Sequence, residues 1–130
     1  MKSVYVYSCL LILLASTCQK LNESLSLPDS VTFPDPVNSA CLVSRPVVHK
    51  AQRLKGRIVY RQDVDMYAIS YYVPGTIDSQ WTGLACNLPD AYKVAGREVI
   101  FSGEFKDAGG TVRPQLGGEE MYYLYLTEIQ

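Results

Sequence analysis

The chain has 130 residues, of which 48% are hydrophobic and 19% charged, and its formal net charge at pH 7 is −1. This composition excludes a disordered chain, and the near-neutral charge argues against a nucleic-acid partner. The length allows one small domain. Charge is unevenly distributed, because the stretch between Asp35 and Asp63 has no acid but six basic residues: Arg45, Lys50, Arg53, Lys55, Arg57 and Arg61. These basic residues are explained by a solvent-exposed strand that lies beside an acidic loop. The alternative is that they form a positive surface that attracts an anion.

Residues 1–17 have the layout of a secretory signal peptide. Lys2 supplies the positive start, an apolar run extends from Val4 to Ala15, and small residues lead into Cys18. The run is shorter than the roughly 20 residues that a membrane-spanning helix needs. We therefore predict that residues 1–17 are removed and that the rest of the chain is exported to the cell envelope.

Cys18 directly follows this signal and is the predicted lipidation site. Leu14 lies one place earlier than in bacterial lipoprotein signals, and Thr17 replaces their usual Gly or Ala, so ordinary signal-peptide cleavage near Thr17 is the alternative. With lipidation, we expect an outer-membrane lipoprotein that faces the periplasm or the cell surface and is held to the membrane by its lipid anchor. Residues 18–39 are rich in Ser, Asp, Asn and Pro, which predicts a flexible tether.

Two cysteines remain for the folded part, Cys41 and Cys86. In an exported domain such a pair most often forms a disulfide, and two separate buried thiols are the alternative. A metal site is poorly supported, because His49 is the only histidine and the cysteines have no close ligand spacing. We expect no metal and no cofactor.

From Leu54 onward, strand patterns alternate with turn signals, and one segment has the Pro, early acid and late Lys of a single helical turn. Ala40–Val43 either adds a short strand or packs against the barrel through Cys41. The order favours an all-β fold over residues 40–130, a small five-stranded OB-like barrel with one short helical turn between strands 3 and 4. A β-sandwich usually needs about seven strands and is less favoured. The predicted strands include Arg57–Arg61, Met66–Val73, Trp81–Leu88, a segment with Val99, Phe101 and Phe105 on one face, and Met121–Ile129, and the helical turn lies in Leu88–Lys93.

The stretch from Cys86 to Gly103 carries a family resemblance. It follows the pattern NLP-x-x-[FY]-K-x-x-G-x-x-V-x-F, in which the matching residues are Asn87, Leu88, Pro89, Tyr92, Lys93, Gly96, Val99 and Phe101. This pattern resembles small Bacteroidetes envelope lipoproteins of unknown function and is similar to the N-terminal domain of NigD-like proteins. The resemblance implies an exported OB-like domain and brings no activity or catalytic residue with it.

No enzyme signature is found along the chain. His49, the one candidate base, lies before the first predicted strand, and no nucleophile motif such as G-x-S-x-G occurs. Asp63 and Asp65 are better explained by a hairpin turn than by a calcium loop, which needs more oxygen ligands and a glycine. We therefore predict a non-enzymatic protein.

OB-folds commonly bind ligands on the face of strands 2 and 3, between the loops that follow strands 1 and 4. Here those loops are Arg61–Asp65 and Asp107–Glu120, and the predicted ligand face consists of Arg61, Tyr67, Tyr71 and Arg113. Tyrosines on an open sheet can stack on sugars or anchor a protein. We expect a monomeric binding or accessory module whose partner is an envelope protein or glycan. The alternative is an exported inhibitor of a hydrolase that inserts the 107–120 loop.

Overall fold

The computed structural model describes residues 31–36 and 38–130, and residues 31 to 130 belong to one compact unit. The predicted signal peptide and Cys18 lie outside the described residues. No helix in the described part is long and apolar enough to cross a membrane. The elements are a 3-10 helix at Ser39–Leu42, strands β1 (Val47–Arg61), β2 (Met66–Tyr72) and β3 (Gln80–Ala85), a 3-10 helix at Asp90–Tyr92, and strands β4 (Glu98–Asp107) and β5 (Glu119–Ile129).

The five strands close into a barrel in the order β1-β2-β3-β5-β4. Neighbouring strands are antiparallel except β3 and β5, which run parallel. The 3-10 helix at Asp90–Tyr92 lies in the connection between β3 and β4. The predicted five-stranded OB-like barrel, with its helical turn between strands 3 and 4, is thus confirmed.

The barrel interior is filled by large apolar side chains. Each strand contributes at least one buried residue to the same core, among them Ile58, Ile69, Ala85, Phe101 and Leu124. In a closed barrel, alternate residues of each strand point inward, which is why one residue from every strand reaches this core. Burial of a large aliphatic or aromatic side chain contributes roughly 1.5–3 kcal/mol, so this core is the main source of stability.

The N-terminal part of the domain differs from the sequence prediction at β1. β1 begins at Val47 rather than at Arg57, because register shifts between Val47 and His49 and between Ala51 and Leu54 break the two-residue alternation on which the prediction relied. Of the two alternatives for Ala40–Val43, the structure shows packing through Cys41, which is buried and bonded to Cys86, and no strand; the segment belongs to the 3-10 helix and the residue after it. Asn38 caps the N-terminus of this 3-10 helix, and its side chain accepts a hydrogen bond from the Ala40 N–H at 2.8 Å.

Candidate functional site

A second apolar cluster lies on the outside of the barrel. Met66 and Ala68 of β2, Leu84 of β3 and Tyr123 of β5 alternate with residues of the interior core, so they point outward. They are nevertheless buried, because the chain before β1 and the loop between β4 and β5 pack on them. The other buried members of this cluster are Cys41, Cys86, Ala108, Val112 and Met121. We call this outer surface of β1, β2, β3 and β5 the covered face.

A disulfide between Cys41 and Cys86 fastens the N-terminal segment to the covered face. The two Cα atoms are 5.7 Å apart, and 45 positions separate the residues in sequence. Both sulfur-bearing residues are buried. Next to the bridge, the Asn38 side-chain amide contacts the Met66 sulfur at 3.4 Å. The predicted disulfide is confirmed, and its place outside the barrel explains how a segment with only one short 3-10 helix is held.

Beyond the apolar cluster, the covered face becomes polar but stays buried. Gln80 donates through Nε2 to the hydroxyl oxygens of Ser70 at 2.9 Å and Thr82 at 3.2 Å. Thr82 in turn donates to Glu119 Oε1 at 2.6 Å. These four residues occupy adjacent positions of β2, β3 and β5, since Ser70 pairs with Thr82 and Gln80 pairs with Glu119. A chain of satisfied buried hydrogen bonds of this kind holds each side chain in one orientation.

This network also holds the loop from residue 108 to residue 118 against the barrel. Glu119 Oε2 accepts hydrogen bonds from the main-chain N–H groups of Gln115 at 2.6 Å and Leu116 at 3.3 Å. Arg61 donates through Nη2 to the main-chain oxygen of Arg113 at 2.9 Å. The loop is therefore braced at three main-chain positions by two charged side chains of the barrel, and its position is defined.

Arg61 itself is almost completely buried, with a relative exposure of 4%. Its guanidinium makes a bidentate contact with Asp63, through Nε at 3.0 Å and Nη2 at 2.9 Å, and lies 3.8 Å from Glu119 Oε1. The hydrogen bond from Arg61 lowers the pKa of the Asp63 carboxyl, although partial burial opposes this shift. A buried guanidinium that is paired on both sides stabilises its surroundings only as long as both partners stay in place.

A groove of about 390 Å³ opens on the covered face beside the braced loop. It lies where β1 and β2 diverge, because their pairing ends at Arg57 and Ser70 although both strands continue. Ser70 and Gln80 are buried and form its floor, whereas Tyr72 and Leu116 are 69% and 59% exposed and stand at its rim. The remaining lining residues are Lys55, Gly56, Arg57, Val59 and Glu98.

Two cations and one carboxylate share one wall of the groove. Glu98 Oε2 lies 3.6 Å from Lys55 Nζ, and Glu98 Oε1 lies 3.5 Å from Arg57 Nη2. All three side chains are largely exposed, so each pair contributes little to stability. The wall therefore keeps one unbalanced positive charge.

The four residues of the predicted ligand face are not brought together on one open surface. Arg61 is buried in its ion pairs, and Arg113 is held through its main-chain oxygen. Tyr67 and Tyr71 are partly buried and pack against the interior core, on the side of β2 opposite to the groove. The predicted location beside strand 2 and the β4–β5 loop holds a groove, but Tyr72 supplies its aromatic ring.

None of the residues that line the groove belongs to the predicted ligand face, and Tyr72 and Arg57 are the two with the clearest signal in the sequence. The signal for Tyr72 is present in the strand pattern, because it shares one side of β2 with Ala68 and Ser70. Arg57 likewise lies four residues before Arg61 on the same side of β1 and opposite Ser70 in register. Tyr72 lies on the opposite side of β2 from Tyr71, and Arg57 lies on the same side of β1 as Arg61 but nearer the groove.

An aromatic cluster occupies one end of the barrel. The His49 ring stacks on Trp81 with centroids 3.8 Å apart, and Trp81 meets Tyr71 and Phe105 at 5.5 and 5.6 Å. Tyr122 lies edge-on to His49 at 5.4 Å. These contacts show that His49 belongs to β1 and packs against aromatic rings.

The Tyr122 hydroxyl links this cluster to a carboxylate. It donates to Glu120 Oε2 at 2.5 Å and lies 3.2 Å from His49 Nε2. Burial raises the pKa of the Tyr122 phenol, and the hydrogen bond to Glu120 raises it further. The imidazole thus packs against both Trp81 and Tyr122.

A second depression on the described surface has fewer features of a ligand site than the groove. A depression of about 490 Å³ lies over the β1–β4 bulge, but its Arg53 and Glu128 pair with each other at 2.7 Å, and no aromatic residue lines it. Within residues 31–36 and 38–130, no group of three or more His, Cys, Asp or Glu side chains is placed to hold a metal ion.

Comparison with known proteins assigns no function. No protein-family model matches the chain, and no curated protein matches it either. The function must be argued from the geometry of the groove.

Proposed function

We propose that this protein is a non-enzymatic lipoprotein of the cell envelope and acts as a binding module through the groove beside the β4–β5 loop. The observation that carries the proposal is the groove itself. It lies on the outer surface of strands 1 to 3, next to the loop between strands 4 and 5, which is the region that OB barrels commonly use to bind ligands.

The rigidity of the groove supports a binding role. Its floor residues belong to paired strands and hydrogen-bond to each other, as Gln80 does to Ser70. Its rim residue Leu116 lies on a loop segment braced by Glu119. A site whose side chains are already ordered loses less entropy when a ligand binds.

The signal-like start of the chain supports the envelope location. The apolar run before Cys18 and the polar, proline-containing stretch after it are the sequence basis for export and for a lipid anchor. A fatty-acid probe fed to cells should label the wild-type protein and should fail to label Cys18→Ala. Equal labelling, or equal release of both forms into the soluble fraction, would contradict the anchor.

The binding role is tested by cross-linking from the groove in intact cells. A photo-reactive benzoylphenylalanine at position 72 should give a discrete covalent adduct with an envelope component after irradiation. The same residue at position 60 serves as the matched control, because Tyr60 is also an exposed tyrosine and lies outside the groove. Identical adduct patterns at the two positions, or none at either, would refute the proposed function.

One observation favours inhibition of a hydrolase as a second candidate. The loop from residue 108 to residue 118 is braced by Arg61 and Glu119, and it presents the exposed side chain of Leu116. A pre-ordered loop with an exposed residue suits insertion into an active-site cleft. An equimolar complex with an envelope protease, formed by the wild type and lost in Leu116→Asp, would establish this function.

A further inference from the structure

We infer that the groove binds an acidic oligosaccharide. The inference rests on the proposed binding function and specifies the chemical class of its ligand. It combines three features of the lining: a polar floor with free hydrogen-bonding capacity, an exposed aromatic ring at the rim, and an excess positive charge on one wall.

The floor offers one donor and one acceptor side by side. Gln80 uses Nε2 to donate to both Ser70 and Thr82. No other described group bonds to its carbonyl oxygen, which remains as an acceptor. The Ser70 hydroxyl accepts from Gln80 and keeps its own O–H as a donor. Sugar hydroxyl groups both donate and accept, so adjacent hydroxyls of one ring match this pair.

Tyr72 supplies the surface on which a sugar ring can lie. It is 69% exposed and pairs with Gln80 across β2 and β3, so its ring stands directly beside the polar floor. The apolar C–H face of a pyranose packs on such a ring, while its hydroxyls remain free to reach the floor. Leu116 closes the rim with an aliphatic side chain.

The charged wall selects for an acid. Lys55 and Arg57 share the single carboxylate of Glu98 at 3.6 and 3.5 Å, so one positive charge is left for a ligand. A guanidinium matches a carboxylate in a bidentate way, which a uronic acid provides. The groove adjoins a further depression of about 270 Å³, which also contains Lys55 and Glu98 and extends to Ile100 and Gln130. A short chain of acidic sugars that extends from one depression into the other passes Lys55, whereas Arg57 lines the groove only.

The same features disfavour a peptide. Hot-spot residues of protein partners insert into well-packed, fully desolvated pockets. The only branched aliphatic side chains in this lining are Val59 and Leu116, and the floor beneath them is polar. The groove is therefore better suited to stacking and hydrogen bonding than to the burial of an apolar anchor.

The experiment uses calorimetric titration of the full chain, purified in mild detergent. Five probes are compared: the trimer of galacturonic acid, the trimer of mannuronic acid, a hyaluronan tetrasaccharide, neutral maltotriose and a tri-aspartate peptide. We expect saturable binding of at least one acidic oligomer, at least about tenfold tighter than maltotriose, which corresponds to about 1.4 kcal/mol. The binding should weaken as salt is raised, because the charged wall is exposed.

Two variants and two matched controls assign the binding to the groove. Tyr72→Ala removes the ring and Arg57→Gln removes the wall charge, and each should weaken binding about tenfold. Tyr60→Ala removes an exposed tyrosine elsewhere, and Lys50→Gln removes an exposed cation of the same strand outside the groove. Both controls should bind as the wild type does.

Several results would overturn the inference. If maltotriose binds as tightly as the acidic oligomers and Arg57→Gln has no effect, the site does not select acids, while the proposed binding function stands. If no saccharide binds but the cross-linked adduct at position 72 forms, or if a tri-aspartate peptide binds more tightly than every saccharide, the ligand class is wrong and the binding function again stands. If neither titration nor cross-linking gives a signal, both fail.

Discussion

Removal of the Cys41–Cys86 disulfide should destabilise the domain severely. The bridge links residues 45 positions apart. In the chain-entropy model, a loop of that length removes about 13 cal/mol/K from the unfolded chain, or about 4 kcal/mol at 25 °C. Folded domains of this size are stable by roughly 5–15 kcal/mol, so the double variant Cys41→Ala/Cys86→Ala should lose a large fraction of its stability.

The assay is urea unfolding followed by fluorescence of Trp81, the only tryptophan in the chain. Trp81 packs against Phe105 in the barrel, so its emission reports on the barrel core. We expect a lower midpoint together with a somewhat steeper transition, because the unlinked chain exposes more surface when it unfolds.

Reduction of the wild-type protein with dithiothreitol is the chemical control and should give nearly the same loss as the double variant. Protease cleavage within Ser39–Leu42 should also become faster after reduction, since the bridge fastens this segment to the covered face. A loss below about 1 kcal/mol by both routes would refute the reasoning, because the loop-closure contribution is several times larger.

Three further predictions concern the network, the packing and the aromatic cluster. Arg61→Met should cost about 3–5 kcal/mol in chemical unfolding, because it leaves a buried carboxylate without its partner; a change below about 1 kcal/mol would contradict the buried pair. Gly103→Ala should lower the thermal midpoint, since a Cβ there would lie 2.2 Å from a main-chain oxygen, whereas Gly117→Ala, with open space around it, should be nearly neutral; equal effects would disprove the packing argument. Glu120→Gln should lower the pKa of Tyr122, as measured by NMR of ¹³C-labelled tyrosine. Above about pH 10 the tyrosine of the unfolded chain ionises before that of the folded chain and stability is lost, so the variant should lose less stability there than the wild type. An unchanged titration of Tyr122 would contradict the hydrogen bond to Glu120.

Most of the barrel could be predicted from the sequence. Strands β2 and β5 have clear two-residue alternation between turn signals. Pro89 and Asp90, which come shortly before Tyr92, predict the helical turn. For β1, the sequence pattern predicts only the last third, Arg57–Arg61. Its first half has a bulge near Arg53, which adopts a positive φ of 48°, and a bulge shifts the side-chain alternation out of phase.

The residues that line the candidate groove could not be predicted from the sequence. The OB-like order places a site next to the β4–β5 loop, and a groove is present there. Tyr67 and Tyr71 were chosen because tyrosines on a strand look alike from sequence, yet their side of β2 faces the interior core. Arg61 was chosen for its charge, and its burial results from contacts with Glu119 and with the main chain of Arg113, both far along the sequence.

The sequence by itself therefore determined the strand order, the pairing of the two cysteines as one of two alternatives, and the absence of a recognisable catalytic motif. It also determined which residues lie on the same side of a strand where no bulge interrupts the alternation, as in β2. Only the tertiary structure decided which side faces the interior and how much of the other side is covered. Alternation shows which residues of a strand share a side, but when both sides are buried it does not show which side faces the barrel interior. Here the outer side of β2 and β3 is buried by the disulfide-linked N-terminal segment and the braced loop, and Tyr72 remains exposed where that cover ends.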